Sequence, residues 1–171
     1  MSEEKTHNKV VVVDENDKVV GSEMLFDAIE KGMIRRASRV YVFNESGQLL
    51  VQRRSENVLK PLLLDQSAAG HVDEGESYLQ AAKRELFEEL GIKDVVLKEI
   101  AISHRTEHFF SAIFKVIVPD NIEIDFDPVE LDAVYWYGIS DLEQTMAVAP
   151  EKFTPEFLEA WNLLRDKLLT Q

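Results

Sequence analysis

Residues 70–92, GHVDEGESYLQAAKRELFEELGI, set a glycine-bearing loop directly ahead of a helix with three carboxylates along one edge. Leu79, Ala82, Leu86 and Leu90 recur at spacings of three and four, the period of one buried face, and predict a helix over residues 77–90. Glu85, Glu88 and Glu89 stand at i, i+3 and i+4, so they fall inside a single arc of roughly a quarter-turn. Like charges at that spacing oppose one another by a few tenths of a kcal/mol per pair, and a positive partner is therefore expected among them. Hard divalent cations prefer oxygen ligands, and magnesium takes one or two carboxylates together with substrate phosphate oxygens and water. Gly70 and Gly75 let the preceding loop turn tightly and let its backbone approach a ligand, while Glu76 lies at the helix start, where negative charge is favourable. An ExxEE run alone carries little weight, because in an acidic chain it is ordinarily a solvated face.

The full pattern is more specific. Gly, five residues, Glu, seven residues, then Arg-Glu-aliphatic-x-Glu-Glu-x-Gly-aliphatic is met at Gly70, Glu76, Arg84, Glu85, Leu86, Glu88, Glu89, Gly91 and Ile92, and it resembles the Nudix box at every fixed position. With average residue usage the coincidence arises on the order of once in a billion start points, which sets chance aside. The resemblance implies an α/β chain with the Nudix fold, a mixed β-sheet sandwiched between helices (α/β/α). It implies a pyrophosphohydrolase that uses Mg2+ or Mn2+ to cleave a diphosphate linked to another group X, usually a nucleoside, by water attack on phosphorus. It further implies that Glu85, Glu88 and Glu89 bind the metal with the backbone carbonyl of Ala69, that Arg84 orients these carboxylates, and that Glu76 supports the loop. Such metals neutralise the diphosphate, lower the pKa of bound water and align attack with departure.

Composition agrees with one cored domain: 171 residues, 45% hydrophobic and 30% charged. A net charge of −13 and a pI near 4.7 argue against a protein that holds a nucleic acid polymer or an anionic membrane by general electrostatics, so a small phosphate substrate must be recruited locally. The absence of cysteine removes disulfides, thiolate catalysis and cysteine-type zinc sites. The start MSEEKTHNK has no apolar leader and no run reaches membrane-spanning length, so a cytoplasmic location is expected.

Along the chain, residues 1–8 are polar and expected to fray. Residues 10–13 and 19–20 around Asp14-Glu15-Asn16-Asp17 read as a hairpin. The VVDENDKVVG run resembles the Nudix branch close to isopentenyl-diphosphate isomerase. The expected division is an N-terminal extension over residues 1–34 and a hydrolase domain over 35–171, joined as one compact unit. The extra hairpin either offers a pairing edge for a homodimer or covers one. A short helix follows near residues 27–31, and Arg35, Arg36 and Arg39 follow in a chain short of cations. Strands are expected at residues 39–43, 48–53, 66–69, 95–102, 109–118 and 133–137, the last with Trp136 in the core.

Near the strand ending in Arg53-Arg54, Arg54 and Lys60 are candidates for the phosphates, with Arg53 behind them because neighbours on a strand point opposite ways. His71 is a candidate for metal or substrate contact or for a backbone-bonded loop histidine. In the isomerase branch a catalytic cysteine precedes the glycine that matches Gly70; here the position is Ala69, which makes isomerase chemistry hard to run. Glu107, in the polar run SHRTEH, and Glu130, ahead of an aromatic strand, are candidates for the further acid that Nudix enzymes recruit as ligand or base. Ser140 with Glu143 reads as a capping box, and Thr154-Pro155 starts a last amphipathic helix. A non-catalytic nucleotide-sensing module on the same fold is the alternative of a different class, disfavoured by three mutually repelling carboxylates.

Overall fold

The computed structural model describes residues 9–170; residues 1–8, expected from their polarity to fray, lie outside the described residues. Strand β1 (Lys9–Val13) returns as β2 (Val19–Met24), and α1 (Leu25–Glu30) leads into β3 (Arg35–Asn44). Then come β4 (Leu49–Arg54), β5 (Leu64–Asp65), β6 (Ala68–His71), α2 (Tyr78–Leu90), β7 (Lys98–Arg105), β8 (Phe109–Val118) and β9 (Leu131–Tyr137). Helix α3 (Ile139–Val148), a 3-10 turn (Pro150–Lys152) and α4 (Pro155–Leu169) complete the order.

Strand β3 is the axis of a mixed sheet. It pairs antiparallel with β1, β4 and β6, and parallel with β8 from Arg35↔Phe109 to Asn44↔Val118. Strand β9 joins through β4, and β7 through β8. The period of two along β3 sends its side chains into two cores. Val40 and Val42 meet Ala81, Ala82, Leu86 and Leu90 of α2 on one face. Tyr41 and Phe43 meet Phe157, Trp161, Leu164 and Leu168 of α4 on the other, where α3 adds Leu142. The expected α/β/α layering and N-terminal hairpin are therefore present. Among the described residues, no helix is long and apolar enough to cross a membrane.

Local signals account for most boundaries. Ser77 caps α2 by accepting the Gln80 N–H while the Gln80 side chain accepts the Ser77 N–H, satisfying two donors that the helix would leave open. Thr154 accepts the Phe157 N–H and Pro155 opens α4, as expected. Other expectations are corrected. Leu79 is 41% exposed. The buried edge of α2 runs instead through Tyr78, Ala81, Ala82, Glu85, Leu86, Glu89 and Leu90, because two glutamates face inward and displace the apolar stripe. Helix α3 starts after Gly138 without a side-chain cap, and Glu143 reaches across to Trp161 Nε1 and Arg165 rather than closing a box with Ser140. Strand β7 begins at Lys98, so that His104 lies within it. Trp136 is half-buried, packed against the α2-side core rather than enclosed in it.

Candidate active site

Strand β6 brings the loop to the sheet, with Arg39 opposite Ala69 and Ser38 opposite Gly70. Gly70 therefore faces α2, and a Cβ built on it would lie 1.9 Å from Glu85 Oε1. Its missing side chain is the window through which the helix carboxylate reaches the strand. Gly75, at φ +85°, supplies the left-handed turn that carries the loop into α2. On the same strand, the Ala69 N–H donates to Glu89 Oε2 at 3.1 Å.

Arg84 is the positive partner that the carboxylate arc requires. Its Nε and Nη2 donate to the two oxygens of Glu76, both at 2.9 Å. Its Nη1 donates to Glu85 Oε1 at 2.6 Å and to Glu88 Oε2 at 3.3 Å, and Nη2 also reaches the His71 carbonyl at 2.9 Å. Asp73 Oδ2 lies 3.7 Å from the same guanidinium. Burial alone would lower the Arg84 pKa, but Glu76, Glu85 and Asp73 outweigh it and raise it. Burial likewise works to raise Glu76, yet the bonds from Arg84 and the Asp73 N–H hold its carboxyl below the usual range. One guanidinium thus ties the loop, through Glu76 and His71, to the helix, through Glu85 and Glu88.

Beside this network opens a cleft of about 240 Å³. Glu85, Glu89, Arg84, Ala69, Gly70 and His71 line it together with Arg54, Lys60, Asp65, Thr154 and Glu156, and Arg39 and Gln66 are also in its wall. Two of its cations are paired with acids of the same cleft. Arg54 Nη1 lies 3.3 Å from Asp65 Oδ2, and Lys60 bonds Glu156. Burial pushes the Asp65 carboxyl up, against Arg54, Arg39, Thr154 and the Gln66 N–H, which pull it down. Phe109 packs on His71, with ring centroids 5.6 Å apart, and carries the Arg35 guanidinium 4.9 Å from its ring centre.

The candidates fall into three groups. Glu85, Glu89, Arg84, Ala69, His71, Glu130, Arg54 and Lys60 all line the cleft. Glu76 and Glu88 join it through Arg84. Glu107 lies apart, its side chain 86% exposed beside His108 in the β7–β8 turn. Arg53 points away and pairs with Asp132 at 3.3 Å. Sequence reasoning gave no role to Arg39, Asp65, Gln66 or Phe109. The signal available for Arg39 was a charged residue in phase with Tyr41 and Phe43 on a strand that buries both.

Among the described residues, no three acidic or histidine side chains converge on a point as an ion would gather them. Arg84 and the Ala69 N–H hold these carboxylates in the arrangement seen. The donor set nevertheless fits a hard cation: all its ligand atoms are oxygen, and Gly70 leaves open the space that a side chain would fill.

Comparison with known proteins adds the following. The NUDIX domain pattern matches residues 33–157. An isopentenyl-diphosphate Delta-isomerase of Pectobacterium atrosepticum is 33% identical over 157 residues, covering 87% of each chain. An uncharacterized Nudix hydrolase of Pseudomonas aeruginosa is 44% identical over 88 residues, about half of each chain. Among solved structures, a Deinococcus radiodurans protein superposes with a TM-score of 0.79 at 25% identity, covering 91% of this chain and 98% of that one.

Proposed function

Because the chain belongs to the NUDIX family, we propose that it is a metal-dependent pyrophosphohydrolase, cleaving the diphosphate linkage of a nucleoside diphosphate-type metabolite by water attack on phosphorus. The observation that carries this reading is the Arg84 network: a guanidinium bonded to both oxygens of Glu76 and to Glu85, at the mouth of a cleft whose wall holds Glu85 and Glu89. Such a network costs desolvation of several charges, which a surface serving only solubility has no reason to bear.

In this reading Glu85, Glu88 and Glu89, with the Ala69 carbonyl, hold Mg2+, or Mn2+ in its place. When bound, the ion supplies charge neutralisation and a more acidic water. Arg84 fixes the carboxylates, Glu76 fixes Arg84 and the loop, and Arg54, Lys60 and His71 face the substrate. In the same reading Glu130, 8% exposed in the cleft wall, serves as the acid outside the box that accepts the proton of the attacking water. Glu107, out in solvent and away from the cleft, takes no part in this reaction. The hydrolase domain is then 35–171 and 1–34 an extension, whose strand β1 bonds the loop ahead of α2.

A second reading is favoured by the isomerase relative, which aligns over most of both chains. Against it stands Ala69, which offers no group to move a proton. One assay separates the readings. Release of the cleavage products (inorganic phosphate or pyrophosphate, nucleoside monophosphate, sugar phosphate) is measured chromatographically from nucleoside di- and triphosphates, sugar nucleotides, dinucleotides and isopentenyl diphosphate, with and without magnesium, alongside double-bond migration in the last compound. Magnesium-dependent release from one compound class, lost in Glu89→Gln, is the expected result. Double-bond migration in place of release sinks the hydrolase reading in favour of an isomerase, and ligand binding with no turnover sinks it in favour of a sensor.

A further inference from the structure

We propose that Arg39 is a substrate-binding residue that sets the specificity of the cleft: its guanidinium receives the phosphoryl group that stays with X, so the site selects ligands presenting an anion there. The inference rests on the diphosphate reading above.

Arg39 is 5% exposed, on a strand buried at every position from Ala37 to Asn44. Its hydrogen bonds are long and go to neutral groups: Nε to Ser111 Oγ at 3.4 Å and Nη1 to Gln66 Oε1 at 3.4 Å. The other cations of the cleft are used differently. Arg84 is bonded to Glu76 and Glu85, Arg54 pairs with Asp65, and Lys60 with Glu156. Among the described residues Arg39 forms no ion pair, although its charge is felt by Asp65, Glu156 and His104 around it. Withdrawing a guanidinium from water without a carboxylate in contact is unfavourable, and an anionic ligand group removes that cost. The Ser111 and Gln66 contacts aim the guanidinium while leaving it the capacity for stronger, charge-assisted bonds.

Position identifies which anion. Arg39 is directly opposite Ala69 and shares its face of the sheet, and both line the cleft that also holds Glu85 and Glu89. In this placement a diphosphate with one phosphoryl group at those carboxylates sets its second one on Arg39, and X continues toward the Lys60–Glu156 and Arg54–Asp65 pairs of the same cleft. Those pairs offer donors and acceptors in equal measure, as suits a neutral polar group such as a sugar or base.

The test is calorimetric titration of the whole chain with inorganic pyrophosphate and with a nucleoside 5′-monophosphate in EDTA, for wild type, Arg39→Gln and Arg39→Lys. Thermal unfolding is run alongside. Both probes are expected to bind wild type, at least about tenfold more weakly to Arg39→Gln, with partial recovery in Arg39→Lys. In turnover, Arg39→Gln is expected to raise KM far more than it lowers kcat. Equal binding by wild type and a folded Arg39→Gln, or no binding by wild type, overturns the proposal. Should no substrate turn over while Arg39-dependent binding persists, the hydrolase reading falls and this one stands.

Discussion

Gly70 shows how one residue of a strand can be fixed by chemistry on the helix that follows it. A methyl group there would lie 1.9 Å from Glu85 Oε1, too close for either group to stay in place. Gly70→Ala is therefore expected to push the carboxylate aside and cut kcat about a hundredfold, since displacements near 1 Å cost that much at a reacting centre. The fold should survive, because the Ser38–Gly70 pairing on β6 does not involve the new methyl. Steady-state kinetics with a melting curve checks this, and an undiminished kcat would show that the Gly70–Glu85 contact is idle. The box residues were legible from spacing because loop and helix are contiguous in the chain and helical geometry converts spacing into direction. Arg39 and Asp65 were not, since their meaning comes from strands that meet only in the fold. Leu79 misled because hydrophobicity assigns the inner face of α2 to leucines, whereas Glu85 and Glu89 claim part of it.

At the level of elements, the β1–β2 turn anchors α2. Asp17, at φ +59°, accepts from Arg36 Nε at 2.7 Å and from the Tyr78 hydroxyl at 2.9 Å, with Ser103 Oγ also donating to it. Tyr78 is the first residue of α2, so this carboxylate pins the start of the helix that carries the glutamates to the N-terminal hairpin. Asp17→Ala removes the carboxylate from Arg36 Nε and the Tyr78 hydroxyl, leaving Arg36 with its Nη2 bond to the residue-17 carbonyl, and is expected to cost about 2–3 kcal/mol. Asp17→Asn, which keeps an acceptor, should cost less. Urea unfolding of the two variants reads the difference, and equal stability of wild type and Asp17→Ala would remove the anchor from the account. Element types were read well where one pattern ruled, as in β8 and α4. Strand β7 was misplaced because its pairing with β8 shifts register twice, between Glu99 and Ala101 and again before His104, and such bulges erase the alternation on which a strand boundary is read.

For the molecule as a whole, acid titration should report on the Arg84 network. The Glu76 carboxyl is held below its usual range, so its contribution to stability is full above the unfolded-state pKa of about 4.3 and is lost as pH falls through the folded value. Calorimetry from pH 7 to 3 is expected to show a smaller loss of melting temperature in Glu76→Gln than in wild type, with the variant less stable at neutral pH. Parallel curves would mean that Glu76 titrates alike in the folded and unfolded chains. Asp65, raised by burial, acts in the opposite sense, favouring the fold when protonated, so the comparison must be made against the variant and not read from wild type alone. The hairpin that anchors α2 also borders the loop ahead of it. Val10 bridges Asp73, the Val11 N–H donates to the Val72 carbonyl at 2.9 Å, and the Glu74 N–H to the Lys9 carbonyl at 2.8 Å. These partners are separated by on the order of sixty residues, a span that a ribosome takes several seconds to deliver. The hairpin closes locally and then waits with one edge open, guarded meanwhile by the charged turn that precedes Val19. The seam beside the glutamates closes only after the chain has circled back, so the edge of β1 is completed by residues made about sixty positions after it.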